Sequence, residues 1–171
     1  ININAVIYKG RHNYICQTRL ENLFNNHTYL LNTNEYEAFI TLLVWEWETL
    51  TGDINECNGF QMHRFKRLWS LVRCEKGFCS SNNCSKYDGC YFGNLKNKIQ
   101  DADIIIVNHS LFANELKIEN SFLPNNFIYV IDEAHHFADV IRSQLVREFS
   151  VNSLGEIFNY FIDKQNGKIP I

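Results

Sequence analysis

The chain has no apolar run near the roughly 20 residues that a membrane span requires, and its first residues lack the basic-then-apolar plan of a secretory signal. These absences predict a cytoplasmic protein with no membrane partner. Excess basic charge is also missing: 16 Lys and Arg stand against 19 Asp and Glu, a formal net charge of -3. Histone-like or ribosomal binding, which rests on overall positive charge, is thereby excluded, and any nucleic-acid surface is local. No internal repeat or low-complexity tract occurs. Proline numbers only 2, and with alanine scarce and asparagine and isoleucine abundant this is a bias of composition rather than of function. Nor is there a G-x-x-x-x-G-K-S/T loop. Gly167-Lys168 is followed by Ile169, so the chain alone lacks the glycine-rich cradle for nucleotide phosphates. It opens on Ile1 and ends on Lys168-Ile169-Pro170-Ile171, and is expected to be an internal piece of a longer protein.

What is present is apolar material enough for one or two packed cores, 46% hydrophobic with 14% aromatic residues. There are also 6 cysteines, which in a reducing compartment are buried, catalytic or metal-bound more often than paired.

Residues 3–8 alternate and are β-branched, predicting a strand that ends at the basic turn Lys9-Gly10-Arg11. Tyr36, Phe39, Ile40, Leu43, Val44 and Trp47 fall at helical spacing, predicting a helix over 34–50 with Asn34 as N-cap and Gly52 as stop. A second amphipathic helix is predicted over 60–73. It sets Phe65, Leu68, Trp69 and Val72 opposite a basic face of Arg64, Lys66, Arg67 and Arg73. Residues 74–90 have no periodicity and no core-forming content, so something other than apolar packing must order them. A helix over 91–100 leads to the apolar run 103–108, which reads as a strand buried on both faces of a parallel sheet. A second such strand is predicted at 127–131, followed by a helix to about Arg142 and a short helix over 154–162. The alternation is that of an α/β domain interrupted by a cysteine-bearing helical insertion.

Cys79, Cys84 and Cys90 stand as C-x4-C-x5-C, an interval at which thiolates on an irregular loop converge on one metal centre. Structural zinc favours tighter C-x2-C knuckles, so the spacing leans towards an iron-sulfur cluster. A fourth ligand is then required, and Cys74, Cys57 and Cys16 are the candidates. Asp132-Glu133-Ala134-His135 follows the second apolar run, where α/β nucleotide-binding sheets present their carboxylates. One acid there holds Mg2+ through water, and its neighbour orients and deprotonates the water that attacks a γ-phosphate. A bare helix cap is the competing reading. Adjacent residues on a helix diverge, so His135 and His136 are not expected to act as a metal pair.

Four features in order, Lys9-Gly10-Arg11-His12-Asn13-Tyr14-Ile15-Cys16, the cysteine run with Tyr91-Phe92, Val107-Asn108-His109-Ser110-Leu111, and the DEAH box, resemble the DinG family of superfamily 2 helicases related to XPD. The resemblance implies a RecA-like helicase motor domain with a parallel sheet, interrupted by a mainly helical 4Fe-4S domain. It implies helicase domain 1 over residues 1–15 and 96–150, the iron-sulfur domain over 16–95, and the start of an arch-like insertion over 151–171. Cluster ligands are implied at Cys16, Cys79, Cys84 and Cys90, with Cys74 as the alternative. Catalysis is implied at Asp132 and Glu133, with Asp132, Glu133 and His135 facing ATP and Mg2+, and DNA contact at Lys9, Arg11, Asn13 and Tyr14. The implied activity is a monomeric, ATP-dependent 5′-to-3′ DNA helicase of repair or replication, acting on single-stranded and forked or flapped DNA. This piece, lacking the phosphate loop, is expected to be inactive alone. The competing readings are a zinc- or cluster-stabilised nucleic-acid-binding module without enzymatic activity, and a redox-sensing DNA-binding domain.

Overall fold

A computed structural model describes residues 2–76, 78, 90–117, 121, 123–124 and 127–145. Cys79, Cys84 and the helix expected over 154–162 lie outside the described residues. The chain divides into two units, Ile1–Tyr129 and Val130–Ile171.

In the first unit β1 (Ala5–Tyr8) pairs in parallel with β2 (Ile104–Val107), Ala5 opposite Ile104 and Tyr8 opposite Val107. Both are short runs rich in β-branched residues, which suit a pleated ladder. Adjacent parallel strands need a crossover, and here residues 9–103 form it. The cysteine-bearing helices are therefore an insertion between neighbours in one sheet. They comprise α1 (Gln17–Asn25), α2 (His27–Leu30), α3 (Tyr36–Glu48), α4 (Lys66–Val72) and α5 (Tyr91–Gln100), with α6 (His109–Glu115) after β2. The second unit contains α7 (Ala134–Leu145).

Two cores follow. One is helical, built on Leu20 and Leu23 of α1, Phe39 and Leu42 of α3, and Leu68, Trp69 and Val72 of α4. Each such aliphatic or aromatic side chain taken from water stabilises by about 1.5–3 kcal/mol. The other lies under the sheet, where Val6 and Tyr8 of β1 meet Phe92 and Ile99 of α5. Tyr8 reaches beyond it to donate a 2.7 Å hydrogen bond to the buried Glu115 carboxylate of α6.

Several expectations are corrected. β2 is not covered on both faces: Ile104 and Ile106 are exposed, as is Ile7 of β1. Among the described residues, helices cover one side of this sheet only. Residues 127–131 form no strand, and Val130 is 91% exposed. An extended segment becomes a strand only when a neighbour takes its N–H and C=O groups. The helix of 34–50 begins at Tyr36, with Glu35 rather than Asn34 at its N-cap position, behind a 3-10 turn (Thr33–Glu35) that Asn32 caps in a reciprocal box with Glu35. Its buried residues are Ala38, Phe39 and Leu42, whereas Ile40, Val44 and Trp47 face solvent, Trp47 at 90%. The helix of 60–73 starts at Lys66, because Arg64 and Phe65 both donate to the Gln61 carbonyl in a preceding turn.

Candidate functional site

The extended residues Tyr14 to Cys16 lie between two other segments. Tyr14 bridges Asp53, and Ile15 bridges Arg73, both antiparallel. Cys16 N–H donates to Val72 O at 2.8 Å and Cys74 N–H to Tyr14 O at 2.7 Å. Two cysteines 58 positions apart in sequence are thus laid on adjacent extended segments, both buried. The Cys74 thiol donates to the Ile15 carbonyl at 3.4 Å. Cys16 heads α1, and its thiol is pulled down to about 6 by the Cys74 thiol foremost, against the upward pull of burial, with help from Arg19 and Thr18 backbone N–H groups and the Arg19 charge. A thiol so placed ionises more readily than a free one.

Cys90 heads α5, its sulfur accepting the Gly93 N–H at 3.3 Å. Cys16, Cys74 and Cys90 all border the same core beneath the sheet. The Glu46 carboxylate of α3 joins the residues that follow two of them. It accepts from Gln17 Nε2 at 3.0 Å and from the Tyr91 hydroxyl at 3.1 Å. Burial, then the charge and hydrogen bond of Glu46, push the Tyr91 hydroxyl up to about 12. Cys57 sits apart in the helical core, its thiol raised by burial, as a packing residue. Glu46 is invisible to motif reading, since an acid in an apolar helix carries no spacing signal.

The basic turn is tied down. Lys9 is ion-paired with the buried Asp53, Asn13 Nδ2 donates to Gly10 O at 2.9 Å, and Trp69 Nε1 donates to His12 O at 2.9 Å. Asp53 in turn caps the following turn, its Oδ1 accepting the Asn55 N–H at 3.1 Å. Tyr14 is only 3% exposed, its ring 5.6 Å from that of Phe92, and burial pushes its hydroxyl up to about 12. A ring so enclosed has no face open to a base. The Arg11 guanidinium lies 5.2 Å and the Lys96 ammonium 5.3 Å from the centroid of Phe92. On α4, Arg67 pairs with Glu35, and the adjoining Arg73 pairs with Glu75, so part of the expected basic face is already neutralised. Asn108 caps α6, its side-chain oxygen accepting Leu111 N–H at 2.8 Å.

In the second unit the acidic box immediately precedes and enters α7. Asp132 Oδ1 accepts the Glu133 N–H at 2.9 Å, and Glu133 O accepts the His136 N–H at 2.9 Å. Glu133 holds φ +47, a left-handed conformation that costs a non-glycine residue about 1–3 kcal/mol. All four side chains of the box are exposed. The expectation that His135 and His136 diverge is corrected: their ring centroids are 4.0 Å apart, and their donor atoms lie with a Glu133 oxygen within 4.8 Å of one another. The bent backbone at Glu133 brings its carboxylate to 3.4 Å from His135 Nδ1.

Comparison with known proteins adds the family. The DEAD_2 family model matches residues 64–154. The ATP-dependent DNA helicase YoaA of Escherichia coli (strain K12) is 29% identical over 157 residues, 88% of this chain and 24% of that helicase. The 3′-5′ exonuclease DinG of Bacillus subtilis (strain 168) is 30% identical over 138 residues, 79% of this chain and 14% of that protein. The ATP-dependent DNA helicase DinG of Escherichia coli (strain K12) is 34% identical over 79 residues, 46% of this chain and 11% of its own length. The chain spans about a quarter or less of each of these relatives.

Proposed function

Because the chain belongs to the DEAD_2 family, we infer that it is part of an ATP-dependent DNA helicase of the DinG type, carrying its cluster domain and its DEAH box. The carrying observation is the family match, which runs from the start of α4 through the cysteine segment to the acidic box. Relatives named as DNA helicases support it. In this reading residues 1–15 and 96–150 belong to a RecA-like motor domain, 16–95 form the cluster domain, and 151–171 open an arch-like insertion. The parent protein moves 5′ to 3′ on single-stranded DNA as a cytoplasmic monomer, opening forked or flapped duplexes.

Asp132 would hold hydrated Mg2+, Glu133 would take the proton of the attacking water, and His135 would face the nucleotide. Mg2+, when bound, neutralises phosphate charge. The exposed carboxylates at the head of α7 suit a hydrated cation. For the cluster, the donor chemistry fits: three described thiols border one core, and that of Cys16 is acidic enough to ionise near neutrality. Cys16, Cys79, Cys84 and Cys90 would be the ligands of a 4Fe-4S cluster, with Cys74 beside Cys16 as the alternative. Such a cluster supplies ordering energy to a loop that has no core of its own. The strand contact falls to Lys9, Arg11 and Asn13, with Tyr14 holding the turn from beneath.

The test is ATP hydrolysis by the full-length parent protein with and without single-stranded DNA. DNA-stimulated hydrolysis is expected, and Glu133→Gln lowers it by about 10²–10⁴-fold while nucleotide binding persists. A full-length protein whose hydrolysis ignores DNA, or a Glu133→Gln variant as active as wild type, would overturn the reading.

A further inference from the structure

We propose that Arg19 is the positioning residue of the cysteine segment, a guanidinium clamp that fixes the entry of the loop against the helix headed by Cys16. The inference rests on the cluster reading above and names the residue that anchors the described stem leading to Cys79.

Arg19 lies in the first turn of α1, three positions after Cys16, with its side chain only 14% exposed. Nη2 donates to Ser70 O at 2.8 Å, and Nη1 donates to Arg73 O at 2.8 Å and to Glu75 Oε2 at 3.1 Å. The guanidinium carbon stands 4.5 Å from the centroid of the Phe78 ring. Phe78 immediately precedes Cys79 in sequence. One planar cation therefore touches four residues spanning the end of α4 and the approach to the cysteine run.

The reason for a guanidinium here lies in how α4 ends. Cys74 N–H would continue the helix by donating to Ser70 O, but it donates to Tyr14 O instead. That exchange seats Cys74 beside Cys16 and leaves the Ser70 carbonyl without its helical partner, as at any helix C-terminus. Arg19 takes up that carbonyl from another helix. It simultaneously takes the Arg73 carbonyl with its other terminal nitrogen, two donors held at a fixed spacing, where a lysine ammonium offers one point of charge on a flexible stem. Of the described stem residues, Glu75, Lys76 and Phe78 belong to neither buried core, and Phe78 is exposed. The cation ties this stem to α1, alongside the Arg73–Glu75 pair within the stem's own end of the chain. Arg67 provides an internal comparison. It is also a clamp on α4, bonded to Leu30 O and Glu35, but at the end of the helix remote in sequence from Cys74.

The experiment uses the full-length protein purified without oxygen. It measures iron, acid-labile sulfide, visible absorbance, and the rate of bleaching by the ferrous chelator bathophenanthroline disulfonate. Loss of a group that holds a metal ligand directly weakens metal retention by about 10–100-fold; Arg19 acts one step further out, through the stem, so Arg19→Gln is expected to bleach faster by about the lower end of that range, with Arg19→Lys intermediate. Glu75→Gln, at a half-exposed position, shifts the rate less in the same direction and keeps the test alive should Arg19→Gln misfold. Arg67→Gln lowers the melting temperature without accelerating bleaching. Arg19 variants that bleach at the wild-type rate, or an Arg67→Gln variant that bleaches as fast as Arg19→Gln, would overturn the clamp while leaving the cluster intact. A wild-type protein with neither iron nor sulfide would instead remove the cluster reading itself.

Discussion

The guanidinium of Arg67 grips the carboxylate of Glu35 with two nitrogens, Nη2 at 2.5 Å from Oε2 and Nε at 3.2 Å from Oε1. Glu35 is buried, and its Oε2 also accepts the Asn32 N–H at 2.9 Å, so one carboxylate both closes the capping box ahead of α3 and anchors α4. Arg67→Ala leaves that carboxylate short of its cation, and truncating one partner of such a pair costs about 2–3 kcal/mol. The double change Arg67→Met with Glu35→Gln recovers part of it, since no unpaired charge stays buried. Urea midpoints of the three proteins measure this, and equal midpoints for the single variant and wild type would contradict it.

Gly52 holds φ +68, and a Cβ there would stand 2.4 Å from Cγ of Tyr91. Gly52→Ala meets both a left-handed backbone and the ring that follows Cys90, an expected loss of roughly 3 kcal/mol. Gly59, whose added Cβ would meet Thr41 Cγ2 at 3.0 Å, is the milder comparison. Thermal melting of the two alanine variants is expected to rank them in that order.

Cys16 and Cys74 are neighbours in space, yet they are expected to differ in effect. Cys16→Ala removes the acidic thiol at the head of α1 and is expected to abolish the brown colour, with iron and sulfide lost together. Cys74→Ala removes a buried thiol hydrogen bond, costs about 1 kcal/mol, and keeps the cluster. Iron and sulfide analysis of both variants checks this; a colourless Cys74→Ala protein beside a brown Cys16→Ala protein would exchange the two ligands.

Arg11 and Tyr14, three positions apart, are expected to separate in DNA binding. Arg11→Ala weakens single-stranded DNA binding and reduces the slope of log affinity against log salt by about 1 phosphate contact. Tyr14→Leu, which removes the ring but keeps an apolar side chain in the core, leaves the salt slope unchanged, because the buried ring offers no face to a base. Fluorescence anisotropy over a salt series distinguishes them, and a marked loss of affinity in a folded Tyr14→Leu protein would mean that the ring reaches the strand on binding.

Much was legible beforehand. The runs that became β1 and β2 are short, β-branched and bounded by polar residues, and α5 occupies the span its apolar spacing predicts, because local pattern decides these elements. α3 is the opposite case. It is apolar on nearly every side, so periodicity selects no face, and packing against α1 and α4 chooses Ala38, Phe39 and Leu42 over Ile40, Val44 and Trp47. Residues 127–131 carry the composition of a strand but remain unpaired, since a ladder is a property of two segments and not of one.

By itself the sequence determined the chemical inventory: thiols at C-x4-C-x5-C spacing, an acidic box ahead of a helix, a basic turn after a strand, and an α/β alternation broken by an insertion. Tertiary structure alone decided which of these groups meet. It set Cys16 beside Cys74, enclosed Tyr14 against Phe92, paired Lys9 with Asp53, and brought His135 to His136. Spacing along a chain constrains only near neighbours, whereas these contacts depend on strand pairing, helix packing and the strained backbone at Glu133, where distance and solvent exclusion fix each group's charge and reach.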